Sequence, residues 1–199
     1  MAYIELTTLK TALGITDDER DALLAQAIAA AEEHIHNRTG RMTFSRDNEP
    51  SARLFRVRGR TVRGEEWSEA LVVDDIATTD GLVVEVGDGL TFETVEPLGY
   101  ETMPENATAK GWPITALERR YSWWSLFRAV RVTAFWGWPA IPAGVKQATL
   151  LQASRLYRRK DSPEGVAGNA EWGLVRVPHL DPDLRSLVDP YRLPGFGGA

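Results

Sequence analysis

The chain has 199 residues, 43% of them hydrophobic and 26% charged, enough apolar material for a sizeable core and unlike a disordered segment. It contains no cysteine, which excludes disulfides, thiolate metal sites and a cysteine nucleophile, and its net charge of −5 argues against a protein that coats nucleic acid. No apolar run reaches bilayer length, and Glu5 interrupts the first apolar stretch with no basic residue before it, so neither a membrane helix nor a signal peptide is expected and a soluble cytoplasmic product is the starting expectation.

Taken in chain order, the first signal is a short helix capped by Thr7 or Thr8 and ended by Gly14. Thr16 and Glu19 then have the spacing of a capping box, and Asp17, Asp18 and Asp21 sit where a helix dipole favours anions. Leu24, Ile28, Ala31 and Ile35 recur at helical spacing, which predicts a helix over Asp17 to Thr39, ~34 Å long at about 1.5 Å per residue. Alanines at 25, 27, 29, 30 and 31 keep it thin, so neighbours can approach closely.

The period changes after Arg46. "ARLFRVRG" and "ALVVDDIATTDGLVVEVGDGLTFETV" read as strands, with "GDG" at 87–89 as a hairpin turn. "GYETMPENATAKGWP" reads as loop. In "AVRVTAFWGW", Val130, Val132, Ala134 and Trp136 alternate on one face of a half-buried strand, and Trp136 and Trp138 are expected to pack on helices below. Pro142 opens the next helix, with Leu150, Ala153, Ser154 and Tyr157 on one face and Arg158, Arg159 and Lys160 in its last turn. "DSPEGVAGNAEWG" reads as a flexible loop. Asp181 and Pro182 start a last short helix that Pro190 ends, and "LPGFGGA" is an extended tail. The fold class is therefore α+β. Residues 1–45 and 139–190 form a small helical bundle, 46–138 an inserted antiparallel β-unit, and 191–199 the tail.

Charge is segregated along the chain. Glu65 to Glu105 holds twelve acidic residues and no lysine or arginine; Arg41 to Arg63 has a balance of +5 and Lys110 to Lys160 one of +9. One reading is ordinary surface charge. The other is that the acidic block meets a basic partner surface, with Arg56, Arg58, Arg60, Asp74, Asp75, Glu85, Arg158 and Arg159 as the electrostatic candidates.

No catalytic set emerges. His34 and His36 of "EEHIH" point ~200° apart on a helix and cannot share a metal, so an exposed helix face is expected there. Adjacent carboxylates such as Asp74–Asp75 point to opposite faces of a strand. Walker, GxGxxG and GxSxG patterns are absent. Neither a metal nor a cofactor is expected. The basic helix 145–160, with Arg155, Arg158, Arg159 and Lys160, leaves a small nucleic-acid-binding regulator as the alternative function.

"YIELTTLKTALGITDDERDALLAQAIAAAEEHIHNRTGR", "VRVTAFWGWPAIPAGVKQATLLQASRLYRRKDSPEGVAG" and "GLVRVPHLDPDLRSLVDPYR" together resemble the head–tail connector (adaptor) proteins of long-tailed double-stranded DNA phages, as found in phages of actinobacteria. The resemblance implies a non-enzymatic virion protein of the neck, assembled in the host cytoplasm. It implies a ring of probably twelve copies between the portal protein and the stopper or tail-terminator protein, with double-stranded DNA passing through without specific binding. It also implies that the C-terminal segment reaches the portal, here through Pro190, Tyr191, Arg192, Leu193 and Phe196.

Overall fold

Helix α1 spans Leu6–Leu13 and closes on Gly14, whose left-handed backbone (φ 69°) returns its N–H to the carbonyls of Lys10 and Thr11. A computed structural model describes residues 2–64, 67–159, 166–167, 175–176 and 182–193. The chain divides into two units, Met1–Met42 with Ile141–Ala199 and Thr43–Ala140.

In the first unit, α1 starts two or three residues earlier than a threonine cap would place it. Glu5 occupies the cap in extended conformation without a side-chain bond, and Thr7 and Thr8 lie inside the helix. Helix α2 runs Asp21–Thr39, about 28 Å, and its cap residue is Arg20. The Thr16–Glu19 capping box does not form. Asp17 instead accepts the Glu19 N–H at 3.2 Å, a local turn that competes with helix. Lys10 binds Asp18 at 2.6 Å and Asp21 at 2.8 Å, which ties the linker to α1. The 4-3-4 spacing is realised: Leu24, Ile28, Ala31 and Ile35 are buried along with Ala27.

Helix α3, Ala143–Arg159, packs on α2. Its buried face is Val145, Ala148, Thr149, Gln152, Ala153 and Tyr157, while Leu150 and Ser154 are only half-buried. The face is rotated from the expected one because two polar residues are satisfied inside it. The Thr149 hydroxyl donates to the Val145 carbonyl at 2.8 Å, and Gln152 Nε2 meets His34 Nδ1 at 2.8 Å. Ile4, Leu9, Leu24, Ile28, Ala31, Ala153 and Tyr157 form one apolar cluster. Helix α4, Pro182–Val188, begins at its proline as expected and buries Leu184 and Val188; its expected cap, Asp181, lies outside the described residues. So does the loop 161–173 apart from Val166–Ala167, which pairs antiparallel with Val175–Arg176.

The second unit is built from two antiparallel four-stranded sheets. Its strands are β1 (Ser51–Arg56), β2 (Thr61–Arg63), β3 (Ser68–Ile76), β4 (Val83–Gly87), β5 (Phe92–Val95), β6 (Glu101–Met103), β7 (Ile114–Arg120) and β8 (Ala129–Ala134). One sheet has the order β1-β8-β4-β5, the other β2-β3-β7-β6. The β4–β5 hairpin turns at the GDG, where Asp88 accepts the N–H groups of Leu90 and Thr91. Strand β6 and short 3-10 turns at Pro97–Gly99 and Thr108–Lys110 occupy part of the stretch read as loop. Proline and glycine there mark turns between short elements, and the alternation is too brief to show in sequence.

Val130, Val132, Ala134 and Trp136 are buried on one face, as their alternation requires. Trp136 finds its neighbours within the β unit. It enters the core shared by the two sheets, beside Phe55, Leu71, Ile76, Leu117 and Trp124, and its indole N–H donates to the Ser51 carbonyl at 2.8 Å. Trp138 lies 5.1 Å from Phe44 and 5.2 Å from Trp112, and donates to Asp75 at 3.0 Å. Gly137 between them has φ 104°, and a Cβ there would sit 1.9 Å from the Ser45 carbonyl oxygen. The glycine is what lets both indoles be buried two residues apart.

Candidate assembly surfaces

The histidine-bearing stretch of α2 is not a free solvated face. Glu32 accepts the Tyr3 N–H at 2.6 Å, and the Tyr3 hydroxyl meets His36 Nε2 at 2.5 Å with the rings edge-on. Burial lowers the His36 pKa and raises that of Glu32. The helix turns His34 away to Gln152 and His36 towards Tyr3, so the two imidazoles serve two different contacts. Sequence spacing could separate the histidines. It could not find Tyr3, 33 residues away.

The end of α2 holds the C-terminal segment. Arg38 binds Asp189 through two bonds of 2.8 Å. Arg41 Nε donates to the Tyr191 carbonyl at 2.5 Å, and the Leu193 N–H donates to the Thr39 carbonyl at 2.9 Å. Of the portal-facing candidates, Pro190 and Tyr191 therefore lie in a 3-10 turn, and Arg192 and Leu193 continue extended along the strap; all but Tyr191 are exposed. Phe196 lies outside the described residues.

The electrostatic candidates separate into two groups. Asp74, Asp75 and Glu85 have partners within the β unit: Arg53 binds Asp74 at 2.8 Å, Trp138 binds Asp75, and Arg131 forms a bidentate pair with Glu85 that lowers its pKa. Arg56, Arg58 and Arg60 are exposed, with Arg60 3.9 Å from Asp74. On α3, Arg158 is exposed and Arg159 half-buried. Arginine guanidinium groups also sit over aromatic rings: that of Arg53 is 4.3 Å from the Trp136 ring and that of Arg131 4.4 Å from the Phe92 ring. Arg119, counted in sequence with the basic surface, is half-buried 5.1 Å from Trp124, and burial lowers its pKa. Nothing in its local sequence marks it, because its environment comes from the turn after β7.

Among the described residues, no three His, Asp or Glu side chains converge as metal ligands, and no helix is long and apolar enough to cross a membrane. An open depression of about 530 Å³ bordered by Tyr100, Glu101 and Glu105 has no cation in its lining.

Residues 3–61 match the family of phage gp6-like head–tail connector proteins. Among curated proteins, none matches significantly. A chain in the neck of an empty gene transfer agent particle, computed with C6 symmetry, is 16% identical with a TM-score of 0.55, covering 98% of this chain and 93% of that one. A chain in the virion of a native gene transfer agent particle is 20% identical with a TM-score of 0.53 and the same coverage. The family match supports a head–tail connector, a structural class of virion protein, and the two likenesses show the fold.

Proposed function

We propose that the chain forms a ring of twelve copies in the neck of a tailed particle, between the portal and the stopper or tail terminator, and continues the DNA channel without binding sequence. The observation that carries this reading is the gp6-like head–tail connector match across α1, α2 and the start of the β unit. It fits a chain whose described surfaces carry pins, straps and exposed arginines but no convergent chemistry. The protein has no catalytic role in this reading. The segment from Pro190 onward engages the portal, and the strap on α2 fixes where that segment leaves the helical unit.

The test is production of particles lacking the chain. DNA-filled heads and free tails that fail to join, with joining restored by the full chain, are the expected result. Unchanged yields of joined particles would overturn the reading. Deletion of Leu193 to Ala199 tests the portal contact by itself: the truncated chain should no longer bind portal-bearing heads.

A further inference from the structure

The charge segregation seen in sequence becomes, in the β unit, a segregation between sheet edges. β1 and β2 are edge strands on the N-terminal side of the two sheets, and β5 and β6 are the opposite edges. Residues 51–63, which carry β1 and β2, contain five arginines and no carboxylate; residues 92–103, which carry β5 and β6, contain three glutamates and no basic residue. Arg56, Arg58 and Arg60 on one side and Glu93, Glu96 and Glu101 on the other are all exposed. On the inner strands Arg131 pairs with Glu85 across β8 and β4, and Arg120 of β7 reaches Glu101 of the edge strand β6 at 3.4 Å.

Among the described residues, no further strand pairs with β1, β2, β5 or β6 on its outer side. Such edges are templates for another strand. Every pairing in both sheets is antiparallel, so β1 and β5 run in opposite directions, as do β2 and β6. β1 of one copy laid beside β5 of a like-oriented copy therefore continues the antiparallel alternation, and so does β2 beside β6. Joining like edges would instead set arginine against arginine or glutamate against glutamate, which is unfavourable. Leu54 and Val62, 51% and 53% exposed on the basic edges, supply apolar contact.

We infer that β units of neighbouring copies join head to tail, the arginine edges of one copy against the glutamate edges of the next; this rests on the reading of the chain as a ring-forming connector. The contact is heterologous, so it closes into a ring when the rotation per copy allows.

Charge exchange tests it with the full chain. One variant carries Arg56→Glu, Arg58→Glu and Arg60→Glu, which leaves two arginines against three glutamates in residues 51–63, so both its edges are acidic. A second carries Glu93→Lys and Glu96→Lys, so both are basic. All five positions are exposed, and the far-UV spectra should match the parent. In sedimentation velocity each variant alone should lose roughly tenfold or more in association constant. An equimolar mixture should recover it, because alternating copies restore opposite charge at every junction. Parent assemblies that persist in both variants, or a mixture no better than its components, overturn the edge contact and leave the ring reading standing. A parent chain that stays monomeric up to about 1 mM, the weakest range of specific association, overturns both. Since the chain has no cysteine, Leu54→Cys mixed with Thr94→Cys gives a second readout: a mixed disulfide forming faster than either homodimer is expected, and equal rates count against the proposal.

Discussion

In the helical unit the core is aliphatic and thin, with Leu9, Leu24, Ile28, Ala31 and Ala153 at its centre, and polar groups at its margins set the register. The β unit fills its core with indoles and large aliphatics and carries exposed charge of one sign along each pair of edges. Alanine-lined helices pack closely but offer few features to fix their alignment. Tyr3 on Glu32 and His36, and Gln152 on His34, supply that alignment through directional bonds. In the β unit ladder registry and bulky side chains fix alignment first, and bonds such as Trp136 to the Ser51 carbonyl and Trp138 to Asp75 add to it. Stability in one unit should therefore respond most to volume, and in the other to protonation and polar substitution.

The sharpest way to break this contrast is Trp136→Ala. The side chain is fully buried between the sheets, and its loss should cost about 3–5 kcal/mol in urea unfolding of the full chain. A cost below about 1 kcal/mol would mean that the β core is not volume-limited. Next in size is a pair of glycine substitutions. Gly14→Ala meets nothing within 4 Å and should cost only the left-handed penalty, roughly 1–2 kcal/mol. Gly137→Ala meets the Ser45 carbonyl at 1.9 Å in addition, and should cost clearly more. Equal costs would show that the Trp136–Trp138 turn yields freely.

These expectations also mark what a reader of the sequence could reach. The buried face of α2 follows from the spacing of Leu24, Ile28, Ala31 and Ile35, and that of β8 from the alternation of Val130, Val132 and Ala134, because each depends on the period of one element. The Thr16–Glu19 box was misleading because Lys10 offered Asp18 and Asp21 a partner from another helix. Gln152 could not be placed inside α3 without knowing that His34 faces it. The two-edged distribution of charge depends on strand order, which local pattern does not contain. The sequence showed the blocks; only topology shows that one block lies on β1 and β2 and the other on β5 and β6.

A smaller effect should appear in the helical unit alone. Burial depresses the folded pKa of His36 below its ordinary 6.5, with Tyr3, Glu32 and nearby Glu33 as the groups around it. The folded state thus binds fewer protons than the unfolded one, so its contribution is lost as pH falls through the unfolded value towards the folded one. Glu32, raised by burial, acts in the opposite sense, but only nearer its own lower range. Stability should decline between about pH 7.5 and pH 5.5, and His36→Gln should flatten that decline. A slope that is the same in both proteins would assign it elsewhere.

The smallest expected effect concerns the strap. Arg38 and Asp189 are both surface side chains, and exposed pairs contribute little to global stability. Their effect should be local, because the pair holds the turn from which Arg192 and Leu193 extend. Asp189→Asn removes the charge and one of two acceptors and leaves Arg41 on the Tyr191 carbonyl and Leu193 on the Thr39 carbonyl in place. The Leu193 amide, bonded to the Thr39 carbonyl, should then exchange faster with solvent deuterium, while the Ala31 and Ile35 amides inside α2 keep their protection. The same loosening should follow acidification. Arg38 holds the folded Asp189 pKa below its usual 3.8, so the bond persists above that range and is lost as pH falls through the depressed value. Unchanged Leu193 exchange in Asp189→Asn would show that the backbone bond and Arg41 alone secure the segment, and that the ion pair beside them is incidental.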